Sequence, residues 1–196
     1  MKVGVIGGGQ LGRMLALAGT PLGMEFSFLD PAPDACAAPV GRHLCAAYDA
    51  RAELQELAET MDVVTFEFEN VPPESVAYLA QHVPVFPNAE SLRIARDRLC
   101  EKTMFCELDI PVTAFANIES QQQLEQAVTE VGLPAILKTR TMGYDGKGQK
   151  VLRSMDDVVG AHAALGGVPC LLEAFVDFAG EVSVIAVRGH SGEVVC

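Results

Sequence analysis

The 196-residue chain carries 14 lysines and arginines against 26 aspartates and glutamates, a net charge of −12, with 49% hydrophobic and 20% charged residues. That acidity argues against a non-specific nucleic-acid binder, and no apolar run approaches the ~18 residues a membrane span needs. Met1-Lys2 leads straight into a strand pattern with no signal-peptide apolar segment, so the expectation is a globular, cytoplasmic protein of one large or two small domains, or part of something longer.

In chain order, residues 2–7 (KVGVIG) read as a buried strand and 10–19 as a helix. Between them Gly7, Gly9 and Gly12 satisfy G-x-G-x-x-G, a turn whose backbone can approach an anion at the start of the helix. Residues 25–30 (EFSFLD) form a second strand, and Asp30 at its end suits either a ribose or a turn before Pro31. By itself the loop is compatible with a dinucleotide or with another phosphate ligand. An Ala/Pro-rich loop, a helix over 49–60, a third strand over 62–69 with an acidic end, a helix near 73–82 and a short fourth strand (VPVFP) follow. Strands alternating with helices predict a doubly wound parallel sheet with ligands at the strands' C-terminal ends.

Near residue 88 the pattern changes. Helical sequence fills 89–108, a helix follows near 119–131, and PAILKT (134–139) is a strand ending at Lys138. A Gly-rich loop and a return strand over 150–153 make a hairpin, then come a helix near 154–164 and strands at 170–176 and 181–188. This half reads as an antiparallel α+β unit. Residues 138–153 hold Lys138, Arg140, Lys147, Lys150 and Arg153 with Asp145 as the only acid, where average composition would put about one basic residue. A second basic cluster is Arg93, Arg96, Arg98 and Lys102. A strand lysine beside a glycine-rich, positively charged flap suits a triphosphate; a merely tight Asp-Gly turn with solvated lysines is the plainer alternative. The six cysteines include no C-x-x-C pair and the four histidines are scattered, so we assign them no metal and expect reduced, mostly buried thiols.

Six ordered motifs cover essentially the whole chain: GGGQLGRML (7–15), TFEFENV (65–71), ARDRLCEK (95–102), GYDGKGQ (143–149), LLEAFV (171–176) and GEVSV (180–184). Together they resemble the ATP-grasp enzymes and, within them, the N5-carboxyaminoimidazole ribonucleotide synthetases of purine biosynthesis. The resemblance implies an α/β chain: a Rossmann-like pre-ATP-grasp domain over 1–98, an ATP-grasp small lobe over 99–176 and the start of a large lobe over 177–196, with the C-terminal lobe missing. It implies ATP, bicarbonate and 5-aminoimidazole ribonucleotide as reactants. Bicarbonate would attack the γ-phosphate to give carboxyphosphate, and the ribonucleotide's exocyclic amine would then be carboxylated.

The same resemblance assigns residues. The first loop becomes a seat for the substrate's 5′-phosphate around Gly9, Gln10 and Leu11, with Glu67 as a substrate-contacting carboxylate and Glu69 in the same alternation phase. Arg98 and Lys138 match phosphate-binding positions. Gly143, Tyr144, Asp145, Gly146, Lys147, Gly148 and Gln149 form a flap over the triphosphate. Glu173, Ala174, Phe175 and Val176 match the segment that meets adenine, and Glu181 the ribose-binding acid. Tyr144 and Asp145 suit an aminoimidazole ring and its amine, which makes Asp145, with Lys138, a candidate catalytic residue. Lys147 would touch substrate, nucleotide or both. Mg²⁺ is implied, with ligands beyond residue 196, as is a homodimer of the full-length ligase without nucleic-acid or membrane partners. Ending at Cys196 inside a strand, the chain reads as an incomplete, inactive fragment. A non-catalytic nucleotide-binding module and an NAD-dependent oxidoreductase remain the other readings.

Overall fold

Four strands of the N-terminal part pair in parallel in the order β3-β2-β1-β4: β1 (Lys2–Ile6), β2 (Glu25–Leu29), β3 (Arg42–Leu44) and β4 (Val63–Phe66). The computed structural model describes residues 1–143, 147–189 and 191–196. After their first residue β1 and β2 are buried throughout, as strands covered on both faces must be. Val3 and Val5 pack with Ala16 of α1 (Gln10–Gly19) and with Phe26 and Phe28. On the other face Ile6, Leu29 and Val64 meet Leu54 and Leu57 of α2 (Arg51–Thr60) and Val76 and Leu79 of α3 (Pro73–Leu79). The sheet is doubly wound, and its strand order reverses between β1 and β4. Such a switch point opens a crevice at the strands' C-terminal ends.

Two helices, α4 (Ala89–Arg96) and α5 (Arg98–Glu107), lead to the second half. The sequence predicts one helix over 89–108, but Asp97 breaks it. Its extended backbone ends α4 and starts α5, and its carboxylate accepts the Leu99 amide at 2.9 Å. An aspartate satisfying a free helix N–H in this way favours a new cap over continuation.

The second half is an antiparallel sheet in the order β5-β8-β6-β7, formed by β5 (Phe115–Ile118), β6 (Ala135–Thr139), β7 (Gln149–Leu152) and β8 (Cys170–Ala174). One face, with Ile118, Leu137 and Leu172, packs on Leu124 and Val128 of α6 (Gln121–Val131) and on two single-turn helices, α7 (Met155–Val158) and α8 (Ala161–Ala164). The other face carries Lys138 and Glu173.

Several sequence expectations shift. β3 and β5 lie in stretches with no strand pattern long enough to read. The expected VPVFP strand is a single parallel bridge, Val64 to Val85, because the flanking Pro84 and Pro87 have no N–H to donate. Of the strand expected over 181–188, β9 (Val187–Arg188) alone forms, paired with β10 (Val194–Val195), while Val182, Val184 and Ile185 lie exposed. Cys170 is buried, whereas Cys36, Cys45, Cys106 and Cys196 are exposed and Cys100 is half-buried. No helix among the described residues is long and apolar enough to cross a membrane.

Candidate active site

The glycine turn at the switch point already holds an anion. Glu67, the residue after β4, accepts the Gly9 amide at 2.6 Å on one carboxylate oxygen and the Gly12 amide on the other. Gly9 caps α1 and has no side chain with which to do so, so a carboxylate from the neighbouring strand end fills the role and meets the positive end of the helix dipole. A Cβ on Gly7, where φ is +106°, would lie 2.5 Å from the Glu67 side chain, and one on Gly9 would lie 2.8 Å from its carboxylate. Two of the fingerprint glycines therefore make room for Glu67 itself. Gln10 and Leu11 follow at the exposed first turn of the helix.

Asp30 is buried, and its carboxylate binds the protein. It accepts the Gly8 amide at 2.8 Å, the Ala32 amide at 2.8 Å and the Tyr48 hydroxyl at 3.0 Å. Burial, then the hydrogen bond to Asp30, pushes the Tyr48 phenol above its ordinary value. This is the turn role that Pro31 suggested, and it anchors the glycine loop from beneath.

Beyond Glu67, a cleft of about 290 Å³ runs past Phe66, Phe68, Glu69, Leu92 and Ala95. A second, of about 130 Å³, shares Glu69 and Ala95 and continues to Arg98, Arg140 and Gly143. The larger hollow of about 550 Å³ lies at the opposite ends of β1 and β2, by Lys2, Glu25 and Arg42, away from both loops. The two clefts share a wall and run from Glu67 to Gly143 at the start of the flap.

At the flap, Arg98 donates to the Thr139 carbonyl at 3.2 Å and to the Gly143 carbonyl at 3.1 Å. Gly148, with φ +70°, returns the chain, its carbonyl accepting the Thr139 amide at 2.8 Å. Gln149 opens β7 opposite Lys138. Tyr144, Asp145 and Gly146 lie outside the described residues; Lys147 is exposed at the flap's far side. Arg140 forms a bidentate pair with Asp97, tying the end of β6 to the α4–α5 junction. Burial raises the Asp97 carboxyl, but the bonds from Arg140 and the Leu99 amide outweigh it and hold the group below the usual carboxylate range.

On the second face of the antiparallel sheet Glu173 is 6% exposed and binds two ammonium groups, Lys138 of β6 and, at 3.0 Å, Lys102 of α5. Burial raises this carboxyl as well, and the two lysines overcome it and leave it lowered. Past β8 the Phe175 amide is bonded to the Pro134 carbonyl at 3.1 Å, and the Ala174 carbonyl accepts the Thr113 hydroxyl at 3.3 Å. Phe175 and Val176 are exposed, and Glu181 stands exposed among the residues after them. No group of three or more His, Cys, Asp or Glu side chains among the described residues is placed to hold a metal ion.

Residues 1–96 match the ribonucleotide synthetase preATP-grasp domain family, and residues 103–196 match the ATP-grasp domain family. By these matches residues 1–96 form a preATP-grasp domain of the ribonucleotide synthetase type and residues 103–196 lie in an ATP-grasp domain. The N5-carboxyaminoimidazole ribonucleotide synthase of Pseudomonas aeruginosa is 66% identical over 98% of this chain and 54% of its own length. The crystal structure of N5-carboxyaminoimidazole ribonucleotide synthetase from Thermus thermophilus superposes with a TM-score of 0.90 at 47% identity, covering 98% of this chain and 52% of that one. That of the Aspergillus clavatus synthase in complex with ADP and 5-aminoimidazole ribonucleotide gives 0.80 at 28% identity, over 91% and 47%. The chain spans about half the length of the relatives it matches.

The structure also brings in residues to which the sequence assigns no individual role. Lys102 stood only as one of a basic cluster. Its spacing of four from Arg98 was the available signal, since i and i+4 share a helix face. Arg140 stands in the basic run over 138–153 and Asp97 in the ARDRLCEK motif, but their pairing carries no signal in the sequence, because it joins positions far apart.

Proposed function

We propose that this chain forms the ribonucleotide site and part of the ATP site of a ligase that carboxylates 5-aminoimidazole ribonucleotide with bicarbonate, coupled to ATP cleavage. The observation that carries this reading is the pair of clefts sharing Glu69 and Ala95, which run from Glu67, the carboxylate bonded to the glycine turn, to Gly143 at the start of the basic flap. The relatives' names and the ADP and ribonucleotide complex of one of them support it. On this reading residues 1–98 carry the ribonucleotide, 99–176 the nucleotide, and 177–196 begin a further lobe.

The 5′-phosphate takes the Gly9 and Gly12 amides, with Gln10 and Leu11 in the same turn, and releases Glu67 toward the cleft and the substrate. Arg98 and Lys138 meet the triphosphate, and Gly143, Gly146, Lys147, Gly148 and Gln149 close over it. Phosphoryl transfer needs chiefly such positioning and neutralisation. The segment from Glu173 to Val176 meets the adenine edge through its backbone, where the Phe175 amide and the Ala174 carbonyl are already bonded within the fold, and Glu181 takes the ribose. Tyr144 stacks on the aminoimidazole, and Asp145 accepts the proton its amine loses. Mg²⁺ would assist at the triphosphate, but the described residues offer it no ligand set and we derive no step from it. The same reading includes a cytoplasmic location and a homodimeric ligase.

Two measurements test it. Calorimetric titrations of residues 1–196 should show binding of ATP and of 5-aminoimidazole ribonucleotide but not of NADH; tight NADH binding with no response to the ribonucleotide would return the glycine turn to a dinucleotide. A chimera continuing residues 1–196 with the C-terminal half of the Pseudomonas aeruginosa relative should release ADP only with bicarbonate present. In that chimera Lys138→Ala should cost about 1.5–3 kcal/mol of transition-state stabilisation; unchanged ATP kinetics would remove Lys138 from the site.

A further inference from the structure

Glu173 and its two lysines form a charge arrangement that the proposed function leaves half explained. The carboxylate is buried on the second face of the antiparallel sheet, and its two oxygens are held one each by Lys138 of β6 and Lys102 of α5. The strand register accounts for the first contact. Lys138 lies opposite Leu171 and Ile136 opposite Glu173, so Lys138 and Glu173 are diagonal neighbours on one face. The second contact comes from a different element: Lys102 lies one helical turn beyond Arg98, which grips the flap's first residue. Two positive charges thus share one negative charge, and an isolated carboxylate at this depth would be strongly destabilised.

That balance sets a problem for nucleotide binding. If Lys138 turns its ammonium to a phosphate, Glu173 loses a partner without leaving the interior. We infer that Lys102 is the positioning residue that solves this: it keeps Glu173 paired while Lys138 engages the triphosphate, so that Lys138 is free to move. In this arrangement Lys102 touches no phosphate. It acts through Glu173, and its removal leaves Lys138 as the carboxylate's sole cation, held back from the nucleotide.

The inference rests on the nucleotide reading above, and a four-way comparison separates the two. Binding of a fluorescent N-methylanthraniloyl ATP would be titrated for residues 1–196 unaltered and as Lys102→Met, Glu173→Gln and the double variant. Each variant is expected to fold. Lys102→Met retains the Glu173–Lys138 pair, and the variants lacking the carboxylate strand no negative charge. Lys102→Met should weaken binding about tenfold, and the double variant should return to within about threefold of Glu173→Gln. A merely structural or a direct phosphate-binding role for Lys102 would leave the double variant as weak as Lys102→Met, which would overturn the inference. Unchanged affinity in Lys102→Met would overturn it too, with the nucleotide reading intact. No saturable binding by the unaltered chain would overturn the nucleotide reading and the inference together.

Discussion

Glu67 is held in the glycine turn by two charge-assisted hydrogen bonds from backbone amides, and any phosphate that seats there must displace it. Glu67→Gln would turn one acceptor into a donor that faces the N–H groups. A stability loss of about 1.5–3 kcal/mol is expected from urea unfolding, the range for hydrogen bonds to charged groups. The same exchange removes a competing anion. Inorganic phosphate should therefore raise the urea midpoint of Glu67→Gln more than that of the unaltered chain. Equal shifts would mean that carboxylate and phosphate do not share the amides.

The β6–β7 hairpin and the α4–α5 junction each depend on one residue that the rest of the element cannot replace. Gly148 has φ +70°, and a Cβ there would lie 2.6 Å from the Thr139 hydroxyl, whereas Gly23, with φ +79°, has nothing within 4 Å. Both Ala variants pay the left-handed penalty of about 1–2 kcal/mol, and Gly148→Ala adds an overpacking cost of about 1–3 kcal/mol. Urea unfolding of the two variants should separate them by that difference. At the junction, Asp97 is a helix cap and an ion-pair partner at once, with its carboxyl lowered by Arg140 and by the Leu99 amide against the effect of burial. A carboxyl titrating below its unfolded value stabilises the fold at pH above the ordinary carboxylate range, and the contribution is lost as pH falls through the folded value. The urea midpoint of Asp97→Asn should therefore be lower at neutral pH and fall less steeply on acidification than that of the unaltered chain. Parallel curves would show that Asp97 does not contribute through its charge.

Across the whole molecule, burial is unevenly distributed along the chain. Among the described residues Leu172 is the last buried hydrophobic one and Glu173 the last buried charged one, while Val182, Val184, Ile185, Val187, Val194 and Val195 are exposed. On α1, Leu11, Met14 and Leu17 also face outward. Apolar surface of this extent promotes association. Deleting residues 177–196 should change unfolding free energy by no more than about 0.5 kcal/mol, as for surface positions, and should lower the fluorescence of a bound hydrophobic dye. A large loss of stability would mean that these residues complete one of the cores.

The strand and helix alternation of the first half, the hairpin around the flap and the basic bias near it were all legible along the sequence, because periodicity and local composition are properties of neighbouring residues. So was the anion preference of the glycine turn, since backbone geometry alone sets it. The short strands β3 and β5 escaped because three or four residues hold too few repeats of an alternation to read. The partner of each charge was not legible at all. Glu67 enters the turn from a strand 55 residues or more away, Asp30 is closed off by Gly8 and Tyr48, and Lys102 meets Glu173 across two elements. Those pairings depend on which strand ends and helix faces the packed cores bring together. Residue type alone decided that the turn accepts an anion; the tertiary structure decided that, without a ligand, the anion is the protein's own carboxylate.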